Sequence, residues 1–501
     1  MKIQKMKKSV YSIITIVLIL YLVTGCERLD DFGDTNQDPS NSRNPETSAL
    51  LTKVLSGLAE YSNSDFTVQG AIYCQYFAET FYVWTGLYEP YETSLMRFYS
   101  DDLYDLQTII IANKDIAAKE VALINGANEN QIAISRILKA YIYWIITDCW
   151  GDVPYKDALK GDPNVSYDTQ EYIYKNLLIE LTDAVAQFTE NDPPIKGDIV
   201  YDGDLLKWKK FANSLRMLMS LRLSKQYPLP TDYAALQFNA ALQDSAGSIE
   251  TNEDNFQLNY PGEYFRNFYY TNYDNSSGFF GESATMTSLM DSLNNDQRQT
   301  VFGSTSTGAP STLGVPVGIN YPATFQWCSE NPGYCYVLNP DYRKQTSPNY
   351  VITAAHAFLA RAEAADRGWT SETPNTAALY QEGITLSFLQ WGLDAPDMTY
   401  FNSPNVALAE PPGTGANLKQ IAIQQYVAFY PDGIQGWSNW RRTNYPILSP
   451  APEAINIPPT IARRFMYGTE DYNLAKDSVA VAVARLPGGD KLESRVWWDK
   501  E

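Results

Sequence analysis

One histidine, His356, serves a chain of 501 residues. No Gly-x-Ser-x-Gly elbow accompanies it, so a Ser-His-Asp hydrolase has neither its usual base nor its nucleophile turn. A Cys-His pair would have to draw on the same imidazole. It lies within Thr353-Ala354-Ala355-His356-Ala357-Phe358, a packed helical setting rather than a site. No Gly-x-x-x-x-Gly-Lys loop is present to cradle a phosphate. Positive charge is also scarce. The formal charge is −20, and loss of the four lysines Lys2, Lys5, Lys7 and Lys8 with a leader would take it to −24. That excludes a nucleic-acid partner, which needs clustered cations, and argues against lying flat on anionic lipid. No uninterrupted apolar run follows the N-terminal one. The best candidate, Ile132–Ile146, is broken by Arg136 and Lys139 and followed by Asp148, Gly151 and Pro154, which fits a buried core helix better than a membrane span.

Cysteines number five. Cys74 and Cys149 fall on expected helices as small buried apolar groups. Cys328 and Cys335 bracket Ser-Glu-Asn-Pro-Gly-Tyr, a turn, and in an exported chain that spacing favours a local disulfide. No metal site and no cofactor is expected, since these thiols lack histidine partners. The remaining cysteine closes the leader. Lysines crowd the first eight residues, Ser9–Val23 is mostly apolar, and Thr24-Gly25-Cys26 follows. A charged stretch, an apolar stretch and a small residue before cysteine make residues 1–25 a lipoprotein signal peptide, with Cys26 the lipidated first residue. Residues 26–44 are polar and acidic, too poor in apolar surface to fold, and read as a tether. Asp34-Thr35-Asn36-Gln37-Asp38 starts like a calcium loop, but Pro39 replaces the required glycine.

From residue 45 a single domain is expected. Asn44-Pro45 opens a first helix, and helical spacing follows over Leu50–Leu58 and Thr67–Glu79, then from Ser100 to about Ile124. The helix Ile132–Trp150 stands at the centre, stopped by Gly151 and Pro154. Asp168 with Glu171 suggests a capping box for a helix to Phe188. Further helices are expected at 205–226 and 233–242. Residues 251–346 form a loop-rich insert with helical spacing only at 283–293. Helices return from Ser347-Pro348 to Arg367, at 375–390, 418–430 and 433–442, and 446–501 reads as irregular. Helical hairpins early (45–250) and late (347–445) around an insert describe a mainly α, tetratricopeptide-like layout.

Aromatics are abundant, with 36 Tyr and 11 Trp. Many lie between helices, among Gly, Asn and Ser. Each offers an apolar face with a polar edge, suited to stacking on a sugar ring or gripping a peptide; the competing reading is that they plug a loop-rich core. The clusters Tyr82–Tyr91, Tyr264–Tyr273 and Tyr321–Tyr342 are the candidates, with Trp84 and Tyr88 foremost, then Tyr82, Tyr91, Tyr273, Trp327 and Tyr334.

Several blocks in order resemble the SusD/RagB family of nutrient-binding outer-membrane lipoproteins, SusD-like branch. They are Asn36-Gln37-Asp38-Pro39, the helix ending in Trp150-Gly151-Asp152-Val153-Pro154-Tyr155, Gln420–Tyr445, and the terminal Arg495-Val496-Trp497-Trp498-Asp499-Lys500. The resemblance implies about four helical pairs in a SusD-like α-superhelix with loops on one side. It implies a lipid-anchored, cell-surface protein of the outer membrane that captures a nutrient, an oligosaccharide foremost. It would act without catalysis and deliver its ligand to a SusC-like TonB-dependent transporter. Phe81–Tyr91 matches a loop that lines the family's binding face. The alternatives are peptide capture, a glycan hydrolase, for which 58 acidic residues leave room, and a helical scaffold without a small ligand.

Overall fold

The computed structural model describes residues 46–501 apart from 91–92, 163–164, 191–192, 275–277, 372–374 and 410–412. The leader, Cys26, the tether, the Asn44 cap and the candidate Tyr91 lie outside the described residues. Thr47–Glu501 packs as one unit.

Its longer helices are α1 Thr47–Gly57, α2 Asp65–Tyr73, α3 Asp102–Lys114, α4 Asn128–Trp150, α5 Gln170–Gln187, α6 Leu205–Arg222, α7 Tyr233–Leu242, α8 Ala284–Ser292, α9 Tyr321–Glu330, α10 Ala354–Asp366, α11 Thr376–Gln390, α12 Leu418–Phe429, α13 Gly433–Thr443 and α14 Thr469–Ala484. The fold is mainly α. Pairs pack in succession: α3 and α5 flank α4, α6 joins α5 to α7, α10 holds α11 and α12, and α13 returns to α2. That last contact is close. A Cβ on Gly433 would stand 2.2 Å from the carbonyl oxygen of Thr67, so only glycine fits there.

α4 is buried along nearly its whole length, as an all-round apolar helix must be. Gly151 stops it at φ 90°, its N–H donating to Thr147 O at 2.8 Å. The end of the chain locks onto this point. Trp498 Nε1 donates to Asp148 Oδ1 at 2.7 Å, Tyr174 donates to the same oxygen, and Arg441 donates to the Asp148 carbonyl at 2.8 Å. The two sequence blocks thus meet in one buried junction, which satisfies a carboxylate that burial alone would penalise.

The strands are short and pair in twos, all antiparallel: β1 Phe77–Glu79 with β5 Phe280–Glu282, β2 Val153–Pro154 with β3 Tyr167–Asp168, β4 Phe256–Leu258 with β8 Asn349–Ile352, and β6 Gly303–Ser304 with β7 Tyr336–Val337. The β4–β8 ladder closes the neck of the insert. The β1–β5 ladder ties the insert to the first helical pair.

Several elements differ from expectation. α2 ends at Tyr73, because Gln75 turns left-handed at φ 61° and 77–79 extend as strand. The helix after Ser100 stops at Lys114, and Thr169, not Asp168, caps α5. Asp168 Oδ2 instead accepts from the amides of Tyr155 and Lys156. Ser347-Pro348 leads into β8, and α10 begins at the cap Thr353. The insert carries α9 as well as α8, and α14 lies in the region read as irregular. The expected Cys328–Cys335 disulfide is not formed, and both thiols are free. Cys328 is held within α9, while Cys335 Sγ donates to Ser311 O at 3.2 Å and its backbone is bonded to β5.

Candidate functional site: an exposed aromatic platform

The β1–β5 ladder pairs Glu79 with Phe280, and Thr80 N then donates to Phe279 O at 2.7 Å. Both strands therefore release their next residues at one edge. Phe81 and Tyr82 leave β1 there, and Phe279 enters β5. Side chains alternate across a strand, so Phe280 points into the core, stacked on Phe77 at 5.2 Å, and Phe279 points out. Tyr82 meets Phe279 at 4.9 Å and Trp84 at 5.2 Å, the latter stacked with 21° between planes. Phe81 meets Tyr321 at 5.0 Å. Tyr321 and Phe325 are one helical turn apart on α9, at 6.0 Å. Phe81, Tyr82, Trp84, Phe279, Tyr321 and Phe325 are each 38–55% exposed. They form one contiguous aromatic face.

The turn carrying Trp84 is held from below. Leu87 N donates to Val83 O at 3.1 Å and Glu89 N to Trp84 O at 2.9 Å. Glu79 Oε2 accepts from Gly86 N at 2.8 Å. Burial pushes the Glu79 carboxyl up to about 7, against the opposing pull of its bonds to Gly86 and Thr85. Tyr88 sits at φ 61° with its ring buried against Tyr73 at 6.4 Å, and its hydroxyl accepts from Ala451 N at 2.9 Å. The segment around Ala451 straps the platform. Ile455 N donates to Leu87 O at 3.0 Å, Glu453 N donates to Gly318 O at 3.2 Å, and Asn320 Nδ2 donates to Glu453 Oε2 at 2.5 Å. Asn320 is also the cap of α9, accepting from Ala323 N at 3.1 Å. Beneath α9 lies a small hydrophobic cluster separate from the main core, built on Ala78, Val315 and Tyr334 with Trp327 and Tyr336 packed against it.

Of the candidate rings, then, Tyr82 and Trp84 belong to the platform. Tyr88 does not: it is buried and anchors the loop. Tyr334 is buried too, stacked on Tyr336 at 4.9 Å. Trp327 is half-buried against Tyr334 at 6.2 Å and supports the platform rather than facing out. Half-buried Tyr273 is a brace: its hydroxyl donates to Phe280 O at 2.9 Å and accepts from Val337 N at 3.1 Å, tying β5 to β7. Phe279 and Phe325 are not among the sequence candidates, and Phe81 and Tyr321 stand there only as the edges of a loop and of a cluster. The i, i+4 pair on α9 was available as a signal, and so was the doublet Phe279-Phe280, in which strand alternation must expose one ring.

No catalytic arrangement engages His356. It is buried, its Nδ1 accepts from Thr353 N at 3.2 Å and its Nε2 lies 3.0 Å from Ala428 O, so the Nε2–H donates there. Burial lowers its pKa to about 4. Glu282, buried beside the platform strand, is raised to about 8 by that burial and accepts from Gln299 at 2.6 Å.

Residues 39–468 match a SusD-like family described as starch-binding and associating with the outer membrane. No curated protein matches the chain. Among solved structures, a chitin-binding SusD homologue from Flavobacterium johnsoniae superposes with a TM-score of 0.76 at 24% identity, over 91% of this chain and 99% of that one. A SusD homologue from Bacteroides uniformis gives 0.74 at 26% identity, over 92% and 100%. One from Bacteroides fragilis gives 0.75 at 21%, over 91% and 100%. Among the described residues, no helix is long and apolar enough to cross a membrane.

Proposed function

The chain belongs to the SusD-like family of starch-binding proteins that associate with the outer membrane, and on that premise we propose that it captures a neutral oligosaccharide at the cell surface without altering it. The observation that carries this reading is the platform. Six rings stand half in water on a braced support, and none of the six is charged. An exposed ring presents a rigid flat face to the apolar side of a pyranose at little entropic cost. Several rings side by side suit a chain of sugars better than one. The wild-type fold already holds these rings in place, so little ordering opposes binding.

Cys26 carries the lipid that holds the protein to the outer membrane, and residues 26–44 give the body reach from it. A SusC-like TonB-dependent barrel receives the ligand. The family assignment and the chitin-binding neighbour support carbohydrate as the ligand class. Glu79 is turned under the loop onto Gly86 and Glu453 is engaged by Asn320, which supports a face that holds its ligand without cutting it. A glycan array followed by calorimetry with malto- and chito-oligosaccharides tests the reading. The expected result is saturable binding with the oligosaccharide recovered intact. Retention of no glycan, or release of new reducing ends from a bound one, overturns it.

A further inference from the structure

A departure from the acidic character of the chain lies on the helical scaffold, in a groove of about 510 Å³ between α3, α4, α5 and the segment that follows Pro154. Lys114, Arg136, Lys139, Lys156 and Lys160 line it against a single carboxylate, Glu180. That carboxylate is already committed, accepting from Arg136 Nε at 2.8 Å, and Arg136 also reaches Asp183 at 3.3 Å. Lys160 pairs with Asp157 at 2.7 Å. Among the described residues, Lys114, Lys139 and Lys156 have no ion-pair partner. Lys139 Nζ has one protein acceptor, the neutral Gln107 Oε1 at 2.6 Å.

Such a cluster is costly alone. Burial lowers the Lys139 pKa to about 8, with Lys114 and Arg136 adding repulsion against the pull of Glu180. A cationic groove in a low-dielectric wall focuses its field outward and draws anions even when the whole molecule is negative. The wall is not only charged. Tyr155 and the exposed Tyr172 meet edge-on at 6.3 Å, and both line the groove. The volume is in the range of small-molecule sites and far above what one inorganic ion fills. Flat rings beside unpaired ammonium groups match a ligand with both an apolar ring face and a fixed negative charge.

We propose that this groove is a second binding site, for an anionic sugar bearing a carboxylate or sulfate group. It shares no residue with the aromatic platform and does not depend on it. Lys114 and Lys156 hold the anion, Lys139 contributes from the floor, and Tyr172 faces the ring.

The test is calorimetry on the mature protein with three probes: trigalacturonate, 4-O-sulfated neocarrabiose and neutral maltotriose. Lys114→Gln/Lys156→Gln is the decisive variant, because both side chains are exposed and their loss leaves packing intact. The expected result is that, with the platform disabled by Trp84→Ala, at least one anionic probe binds more tightly than maltotriose at low salt and loses affinity as salt rises. The double variant should then weaken binding at least about tenfold, as expected when charge-assisted bonds are lost, while Trp84→Ala leaves it unchanged. The tighter of the two anions identifies the group as carboxylate or sulfate. The proposal is overturned if neither anion outbinds maltotriose in the Trp84→Ala background, where the platform is disabled, if the double variant binds the anion as wild type does, or if Trp84→Ala removes the binding. It is also overturned if an oligoglutamate of equal charge outbinds both sugars, which would assign the groove to an acidic peptide.

Discussion

Replacing Trp84 by alanine separates a binding face from a core. Trp84 is 51% exposed, and its ring stacks on Tyr82 at 5.2 Å. A fully buried Trp removes about 150–250 Å² from water. Half of that, about 100 Å², at about 25 cal/mol per Å² gives an upper value near 2.5 kcal/mol. The Cβ that alanine retains and the burial already present in the unfolded chain bring it to about 2 kcal/mol or less. For a unit this long, a loss of that size moves the melting temperature by about 4 °C at most. The effect on binding should be larger relative to its total. An exposed aromatic anchor commonly contributes about 1–3 kcal/mol, a 5- to 150-fold rise in Kd. Tyr88→Ala is the control. Its ring is 2% exposed, so a cavity costing about 3–5 kcal/mol is expected there. Calorimetry against the best oligosaccharide and a thermal melt on both variants decide the matter. Unchanged affinity in Trp84→Ala, together with a melting loss equal to that of Tyr88→Ala, would refute the platform.

Three further outcomes follow from single contacts. The Glu79 carboxyl is raised to about 7 from an ordinary 4.5 by burial, so its contribution to stability is full below about pH 4.5 and is lost as pH rises through 7. Glu79→Gln should therefore gain on wild type between pH 5 and pH 8, by up to about 3 kcal/mol in urea unfolding; a pH-independent difference would show that the carboxyl is not perturbed. Tyr88→Phe leaves the buried Ala451 N–H without its acceptor and should cost about 1–3 kcal/mol, read as a lower urea midpoint at unchanged slope. Cys26→Ser should abolish labelling by a fatty-acid probe in growing cells, and equal labelling of wild type and variant would rule out that anchor.

The central helix and its stop were legible because their signals are local. An apolar residue on every face of α4 can be read without knowing its neighbours, and Gly151 and Pro154 act on their own backbone. The starts of α11 and α13 are local in the same way, each set in the structure by a side-chain cap, Asn375 and Asp432. What was misread depends on distant partners. Residues 77–79 have no helix-breaking composition, and they extend because 280–282 offer a ladder. α14 is hard to read because its buried positions are few, Asp471, Ala475, Val479 and Ala482, and an aspartate and two alanines make a weak apolar stripe.

The candidate site divides along the same line. That Tyr82, Trp84 and Tyr88 lie in a loop is written in the surrounding residues. Which of them faces water is not, since Tyr88 turns inward on an amide from Ala451, 363 residues later. Phe279 joins the face only because Glu79 pairs with Phe280 and so sets the strand's alternation. A slip of one residue in the β1–β5 ladder would bury Phe279 and turn Phe280 to solvent, leaving the core without its partner for Phe77. The main core therefore selects the register, and the register selects which ring completes the platform. A binding face assembled this way is specified by the packing on its opposite side, so the decisive information for Phe279 resides in Phe77 and Phe280 rather than in the loop that carries Trp84.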